Sequence, residues 1–569
     1  MTHLLLRSAL TAVAVGVGLY GSAAEACGCF AGPTTATTPV IQAGERILFA
    51  VQNGKVTAHI QIQYAGDAKD FGWLLPLPSV PVLKAGTEEL FTQLAATTDP
   101  TFQLNSQVVG QCPQRSPGFS FGCAARAPTT IDRVAGGTSA MGPPPSPLVF
   151  TTSVGPYDAA VLKADDKSAM LAWLSANRFV VPTTSDAALA PYLRPGAYFL
   201  ALKLKSGKTT GDLTPIVVEY PSDLPMIPIT LTSIGATPDM GVQVFVVGNG
   251  RAIPRNYRHV VLNDALLDWE SGGQNYQALV TRAVREAPGR HAFVTDYAGT
   301  SSVMRDVLAP AGRFGTEAEL AARSTPTTFI STLWARQFGI QPPVTGFAGQ
   351  QAQRFPPALQ DLLLRALPIP KTYADQGLTA DEWFANFTSF YESARQQHPA
   401  DFANYPVFNA PQLAQQVFAD YVAPVREANA LFTTFPTLTR LFTTLSPEDM
   451  TRDPVFSFNT SLPEVPRVRT ATQEFDCPTG RSRVVTPGGF SRAPVFGQPA
   501  DLPPGLGAHR IEALGEEGPG TVETDNTELI RAAFPDPPPA MPTPGGCSAV
   551  PDPVSVALLV LVARLRHRR

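Results

Sequence analysis

The stretch "ERILFAVQNGKVTAHIQIQY" (Glu45 to Tyr64) constrains the fold more than any other part of the chain. Asn53-Gly54 divides two alternating runs. This dipeptide readily takes the positive φ angles of a type I′ turn, whose twist matches that of the strands it joins. A β-hairpin is therefore expected. In its second strand Val56, Ala58, Ile60, Ile62 and Tyr64 take one face, and Thr57, His59, Gln61 and Gln63 the other. A strand with one apolar and one polar face implies a sheet with one face packed and one wet. That places His59 in solvent, as a strand residue and not a catalytic one.

More strands follow. "DFGWLLPLPSVP" (Asp70 to Pro81) reads as a third, its prolines confining it to an edge or marking its exit. "GTEELFTQLAAT" starts a helix with Thr87 as N-cap. Gln111 to Pro147 is a long Pro/Gly/Ser-rich loop. "LVFTTSVGPYDAAVLKA" gives two short strands broken at Gly155-Pro156, and "DDKSAMLAWLSANRF" a capped helix with Met170, Leu171, Trp173 and Leu174 as its apolar side. Strands recur at "GAYFLALKL", "TPIVVEY", "PITLTSI", "VQVFVVGN" and "YRHVVLN".

Beyond residue 265 the period becomes helical in "NYQALVTRAVREA", "TTFISTLWARQF", "PALQDLLLRAL", "ADEWFANFTSFYESARQQ" and "PQLAQQVFADYVAPVREANALF", before a strand-like "PVFSFNT". From Val484 to Gly546 proline and glycine dominate, apolar periodicity fades, and a disordered stalk is expected. The fold class implied is α+β. An N-terminal antiparallel β-rich region with a few helices (27–265) precedes a mainly helical region (266–483), packed on it or following it. A Pro/Gly-rich linker (484–546) and a short C-terminal hydrophobic helix (547–569) complete the order.

Both ends read as sorting signals. Arg7, an apolar run from Ala9 to Tyr20 and the small residues ending in Ala24-Glu25-Ala26 form a secretory signal peptide (1–26), cut by signal peptidase after Ala26. The G-x-G-x-x-G match at Gly16 to Gly21 lies inside that apolar run with no strand before it, so it carries no nucleotide-binding meaning. At the other end, Val554 to Ala563 is about half of the roughly 20 residues that span a bilayer. Arg564, Arg566, Arg568 and Arg569 hold that end in the cytoplasm. A short apolar run behind Gly546-Cys547 suits a removable label that touches the membrane transiently. If retained, it would anchor the protein facing the periplasm.

Export makes structural disulfides the default for Cys27, Cys29, Cys112, Cys123, Cys477 and Cys547. Cys112 and Cys123 flank a short loop and form the expected pair. Cys27 and Cys29 are too close to bond each other, so one of them is expected to reach Cys477. The connectivity stays open. The histidines are scattered singly, and no metal site or cofactor is expected. With a net charge of −4 and no large basic block before the terminal RLRHRR, nucleic acid is not an expected partner.

Motifs with catalytic meaning are sparse. "GFSFG" (Gly118 to Gly122) fits G-x-S-x-G and would make Ser120 a nucleophile, but no strand enters it and no helix leaves it. In "DEWFANFTSFYE", Asp381 and Glu382 beside aromatic rings fit sugar hydrolysis. The spacing of Trp383, Phe387, Phe390 and Tyr391 fits a core-facing helix stripe better, with both acids in its first turn.

"CGCF", the hairpin stretch running on through "AGDAKDFGWLLPLPSVP", "VGPYDAAVLKADD", "LRPGAYFLALKL" and "LTRLFTTLSPEDMTRDPVFSFN" resemble a secreted bacterial family catalogued as domain of unknown function 2330. The resemblance runs from residue 27 to about 475 and implies an architecture without an activity. The tail, "GGCS" with "RLRHRR", resembles the myxobacterial C-terminal sorting signal. That resemblance implies a sorting protease acting near Cys547 and transfer to the cell surface. The expected function is that of an exported, surface-displayed protein with a binding or envelope-structural role towards an external ligand. The alternative is an extracellular hydrolase whose site is assembled from distant residues, with Ser120, Asp381 and Glu382 as the candidates.

Overall fold

The computed structural model describes residues 41–65, 72–110, 147–179, 186–205, 213–345, 351–494 and 505–534. Ala26, Cys27, Cys29, Cys112, Ser120, Cys123, Gly546, Cys547 and the tail to Arg569 lie outside the described residues. The hairpin is present: β1 (Ile41–Gln52) and β2 (Lys55–Ala65) pair antiparallel up to Gln52↔Lys55. Asn53 and Gly54 turn with φ of 54° and 70°.

Next come β3 (Gly72–Leu77), β4 (Val82–Ala85), β5 (Thr101–Val109), β6 (Leu148–Val154), β7 (Tyr157–Lys163), β8 (Tyr198–Leu204) and β9 (Ile216–Pro221). The middle of the chain adds β10 (Ala236–Gly248), β11 (Arg251–Pro254), β12 (Arg258–Leu262), β13 (Ala292–Thr300), β14 (Ile340–Thr345) and β15 (Gln351–Arg354). Later strands are β16 (Thr437–Leu445), β17 (Phe456–Asn459), β18 (Val468–Asp476), β19 (Arg481–Val485), β20 (Ser491–Arg492), β21 (Ala508–Ala513) and β22 (Thr521–Asp525).

One ten-stranded sheet organises the molecule, in the order β22-β21-β12-β13-β16-β10-β1-β2-β9-β4. Its neighbours are antiparallel except for β1 with β10 and β12 with β13. A second sheet runs β3-β8-β7-β6, with the proline-bearing β3 at its edge as expected, and a third runs β20-β19-β18-β5. The fold is α+β.

Several expectations need correction. The large sheet takes strands from both sides of residue 265, since β10 pairs with β16, so the expected boundary there does not interrupt the sheet. The supposed stalk is ordered where it is described: β21 and β22 extend that sheet and a helix follows at Thr527–Ala533. Short strands at a sheet end are held by backbone pairing and need little apolar periodicity. "PITLTSI" forms a single helical turn, Ile229–Thr232, in which the Thr232 and Ser233 hydroxyls donate to the carbonyls of Pro228 and Thr230. Such local side-chain bonds compete with a strand ladder.

Both faces of the large sheet are covered. Ile47, Phe49, Val56, Ala58 and Ile60 pack against Trp73, Leu75, Val161, Leu200 and Leu202 of the second sheet. The other face buries Leu48, Ala50, Phe245 and Val247 under the helices Glu88–Thr98, Pro326–Ala335, Pro357–Ala366 and Ala423–Thr434. Val56, Ala58 and Ile60 of β2 are buried together, but the opposite face is not wet throughout: Gln63 is exposed, whereas His59 is buried and, among the described residues, its Nδ1 has no partner. Thr87 caps its helix by accepting the Glu89 N–H. Among the described residues no helix is long and apolar enough to cross a membrane.

Candidate functional site

β12 and β13 run parallel but pair at only Arg258↔Ala292 and His259↔Phe293. Their carboxyl halves then separate, β12 towards β21 and β13 towards β16. In sheets with parallel strands, a crevice beyond the carboxyl ends of diverging strands is the usual place for a ligand. A cavity of about 630 Å³ occupies this one.

Its polar end is built by strand register. His259 stands directly across from Glu512, so the two side chains share a face, and His259 Nδ1 lies 3.2 Å from Glu512 Oε2. With Nδ1–H donating to the carboxylate, Nε2 is left as an acceptor and receives Arg251 Nη2 at 3.4 Å. The same Nη2 donates to Thr295 Oγ1 at 3.0 Å, and Nη1 donates to the Pro463 carbonyl at 3.1 Å. Arg251 is 8% exposed and, among the described residues, its buried Nε–H has no acceptor. Burial lowers the His259 pKa, while the hydrogen bond from His259 holds Glu512 below the ordinary carboxylate value.

The opposite end is aromatic. Trp269 Nε1 donates to the Asp264 carbonyl at 2.8 Å, and its ring meets Phe102 edge-on with centroids 5.7 Å apart. Tyr276 lies 5.2 Å from Phe102 and donates its hydroxyl to Asp296. Splaying β13 from β12 frees the carbonyls of Thr295 and Asp296, and Arg469 Nη2 donates to both, at 3.1 and 3.4 Å. Asp296 is fully buried, and burial pushes its carboxyl up to about 6 although Arg440 Nε lies 3.1 Å away. The whole is a part-apolar cleft with a buried guanidinium at one end, which suits an anionic group on an apolar body.

Of the site candidates read from the sequence, those that are described, Asp381, Glu382 and Cys477, do not line this cleft. Glu382 closes a capping box with Thr379, and Asp381 accepts from Gln360 Nε2, so both are structural. Trp383, Phe387 and Tyr391 are buried and Phe390 is exposed, and the stretch forms two helices that meet at Asn386. Cys477 is held in a disulfide whose partner lies outside the described residues. Among the described residues no group of three or more His, Cys, Asp and Glu side chains is placed to hold a metal. The polar cleft residues Arg251, His259 and Glu512 escaped the sequence because each stands singly on a short strand. The Glu512–His259 bond joins positions 253 residues apart, a separation no motif spans.

The chain matches the family described as "Uncharacterized protein conserved in bacteria (DUF2330)" over residues 23–339, more than half its length, and belongs to it. No curated protein and no solved structure matches it. Arg251, His259, Trp269 and Thr295 fall inside the matched residues, whereas Arg469 and Glu512 fall outside them.

Proposed function

We propose that this is a binding protein, exported and displayed at the cell surface, whose cleft captures a carboxylate-bearing ligand with an apolar or aromatic body. Arg251 carries the reading: among the described residues its buried guanidinium bonds only to neutral acceptors and one N–H is unmet. A buried donor without a partner costs roughly 1–3 kcal/mol. A ligand carboxylate would satisfy it through a charge-assisted bond. Phe102, Leu267 and Trp269 supply the apolar wall that holds the rest of such a ligand. Display rests on the sequence at both ends, through signal peptidase after Ala26, a sorting protease near Cys547 and membrane contact by the tail.

Calorimetric titration with phenylacetate and phenylacetamide tests the cleft. The acid is expected to bind at least about tenfold more tightly, and Arg251→Met to abolish the preference. Equal binding of acid and amide to the wild type would sink the reading. Display is tested by mass spectrometry of the mature C-terminus from fractionated native cells. A chain ending near Cys547 on the outer surface supports it, and an intact Arg569 in the inner membrane overturns it.

A hydrolase is the second reading, favoured by the carboxylate–imidazole pair of Glu512 and His259, which is the arrangement of a general base. Its Nε2 faces Arg251 instead of a hydroxyl. Ester turnover abolished by His259→Gln, with acid binding retained, would decide for it.

A further inference from the structure

We infer a second ligand site, separate from the cleft: the cavity between the large sheet and the β3-β8-β7-β6 sheet takes an organic ammonium ion on a ring-sized apolar body, with Glu45 as its counter-ion. Glu45 sits on the β1 face that also carries Ile47 and Phe49, and its cross-strand neighbours are Ile62 and Val242. It is 4% exposed. Among the described residues one side-chain hydrogen bond reaches it, from Gln42 Nε2 to Oε2 at 3.5 Å, the limit of bonding distance. Among the described residues it has no ion-pair partner. Gln42 offers no further help, since among the described residues its own buried Oε1 has no partner. Carboxylates buried this deeply are almost always paired, because the desolvation of an isolated charge is severe.

The space beside Glu45 has the right size and lining for a guest that supplies the missing charge. The cavity holds about 190 Å³ and is walled by Phe49, Ile60, Leu75, Tyr220 and Met226. An apolar cavity of roughly 150 Å³ admits a benzene ring. Aromatic walls also favour a cation over a neutral guest. A metal ion is not supported, because hard cations take six or more oxygen ligands and, among the described residues, Glu45 is the only carboxylate lining the cavity.

The other charged group facing this space is Arg194, which is exposed at the rim and screened by solvent. Tyr192 donates to Asp453 at 2.7 and 2.8 Å, and burial keeps the Tyr220 hydroxyl protonated. Burial also pushes the empty-site Glu45 carboxyl up to about 7. Near pH 6 that carboxyl carries a proton, which an arriving ammonium ion must expel.

The test is calorimetric titration of the full chain near pH 6 with benzylamine and with benzyl alcohol, in two buffers of different ionisation enthalpy. Benzylamine is expected to bind with release of close to one proton, and Glu45→Gln to weaken it at least about tenfold while leaving benzyl alcohol unchanged. Ala58→Val, which fills the cavity from β2, should weaken both probes. Equal binding of alcohol and amine, binding without proton release, or unchanged amine binding by Glu45→Gln overturns the inference. If Glu45→Gln fails to fold, proton release by the wild type decides alone. Phenylacetate binding in the cleft is a separate readout, so either site can fail without the other.

Discussion

Glu45 and His59 stand on opposite faces of the large sheet, and burial drives them in opposite directions. The carboxyl rises from 4.5 to about 7, whereas the imidazole falls from 6.5 to about 4. For Glu45 the unfolded chain ionises first, so its stabilising term is whole below pH 4.5 and is lost as pH rises through 7. For His59 the unfolded chain protonates first, so its term is whole above pH 6.5 and is lost as pH falls through 4. The two slopes oppose each other over much of the acid range. Denaturant melts of Glu45→Gln are therefore expected to gain stability relative to wild type as pH climbs from 5 to 7, by up to about 1.4 kcal/mol per pH unit. His59→Gln should gain relative to wild type as pH falls over the same interval. Parallel curves for wild type and both variants would show that neither group titrates as its burial requires. Cys477 supports a prediction of its own. Its N–H donates to the Val109 carbonyl at 2.9 Å. From Val109 the chain reaches Cys112 within about 10 Å. Non-reducing peptide mapping is expected to join Cys477 to Cys112, in place of Cys27 or Cys29; a Cys112–Cys123 peptide would exclude that link.

Among the elements, the helix Glu88–Thr98 is fastened by an ion pair with little access to solvent. Arg313 Nη2 donates to Glu89 Oε2 at 2.9 Å, and Tyr421 adds its hydroxyl at 3.4 Å. Glu89→Ala leaves Arg313 buried and unpaired, and a loss of about 3–5 kcal/mol is expected by chemical denaturation. Gly273 sets the aromatic end of the cleft. Its φ is +83°, and a Cβ there would stand 2.2 Å from the Phe102 ring. Gly273→Ala should cost at least about 1–3 kcal/mol and weaken phenylacetate binding, because the ring it displaces lines the cavity. A variant with native stability and native binding would contradict that packing. At this scale much was legible in advance. The Asn53-Gly54 hairpin, Thr87 as a cap and proline-bearing β3 at an edge follow from local spacing, as does the burial of Trp383, Phe387 and Tyr391 but not the exposure of Phe390. The wetness of the Thr57, His59 and Gln61 face was misread, because periodicity tells which residues share a face but not what lies over it. The cleft was illegible for a related reason: two strands that pair briefly and then part leave no periodic trace.

The whole molecule is ordered by its largest sheet, in which β21 and β22 lie beyond β12 although they come late in the chain. They supply Glu512 to His259, and without them β12 becomes an exposed edge open to pairing with other chains. A chain stopped after Ala493 is expected to aggregate or to expose apolar surface to a hydrophobic dye. A soluble monomer that still binds phenylacetate would show that β21 and β22 are dispensable. The strand order also sets a timetable. Ribosomes deliver the chain from its N-terminus, so both faces of β1 and β2 can be covered before β21 exists. The carboxylate that orients His259 arrives 253 residues after it. Every nascent chain that stops short of Glu512 carries an imidazole without its orienting partner.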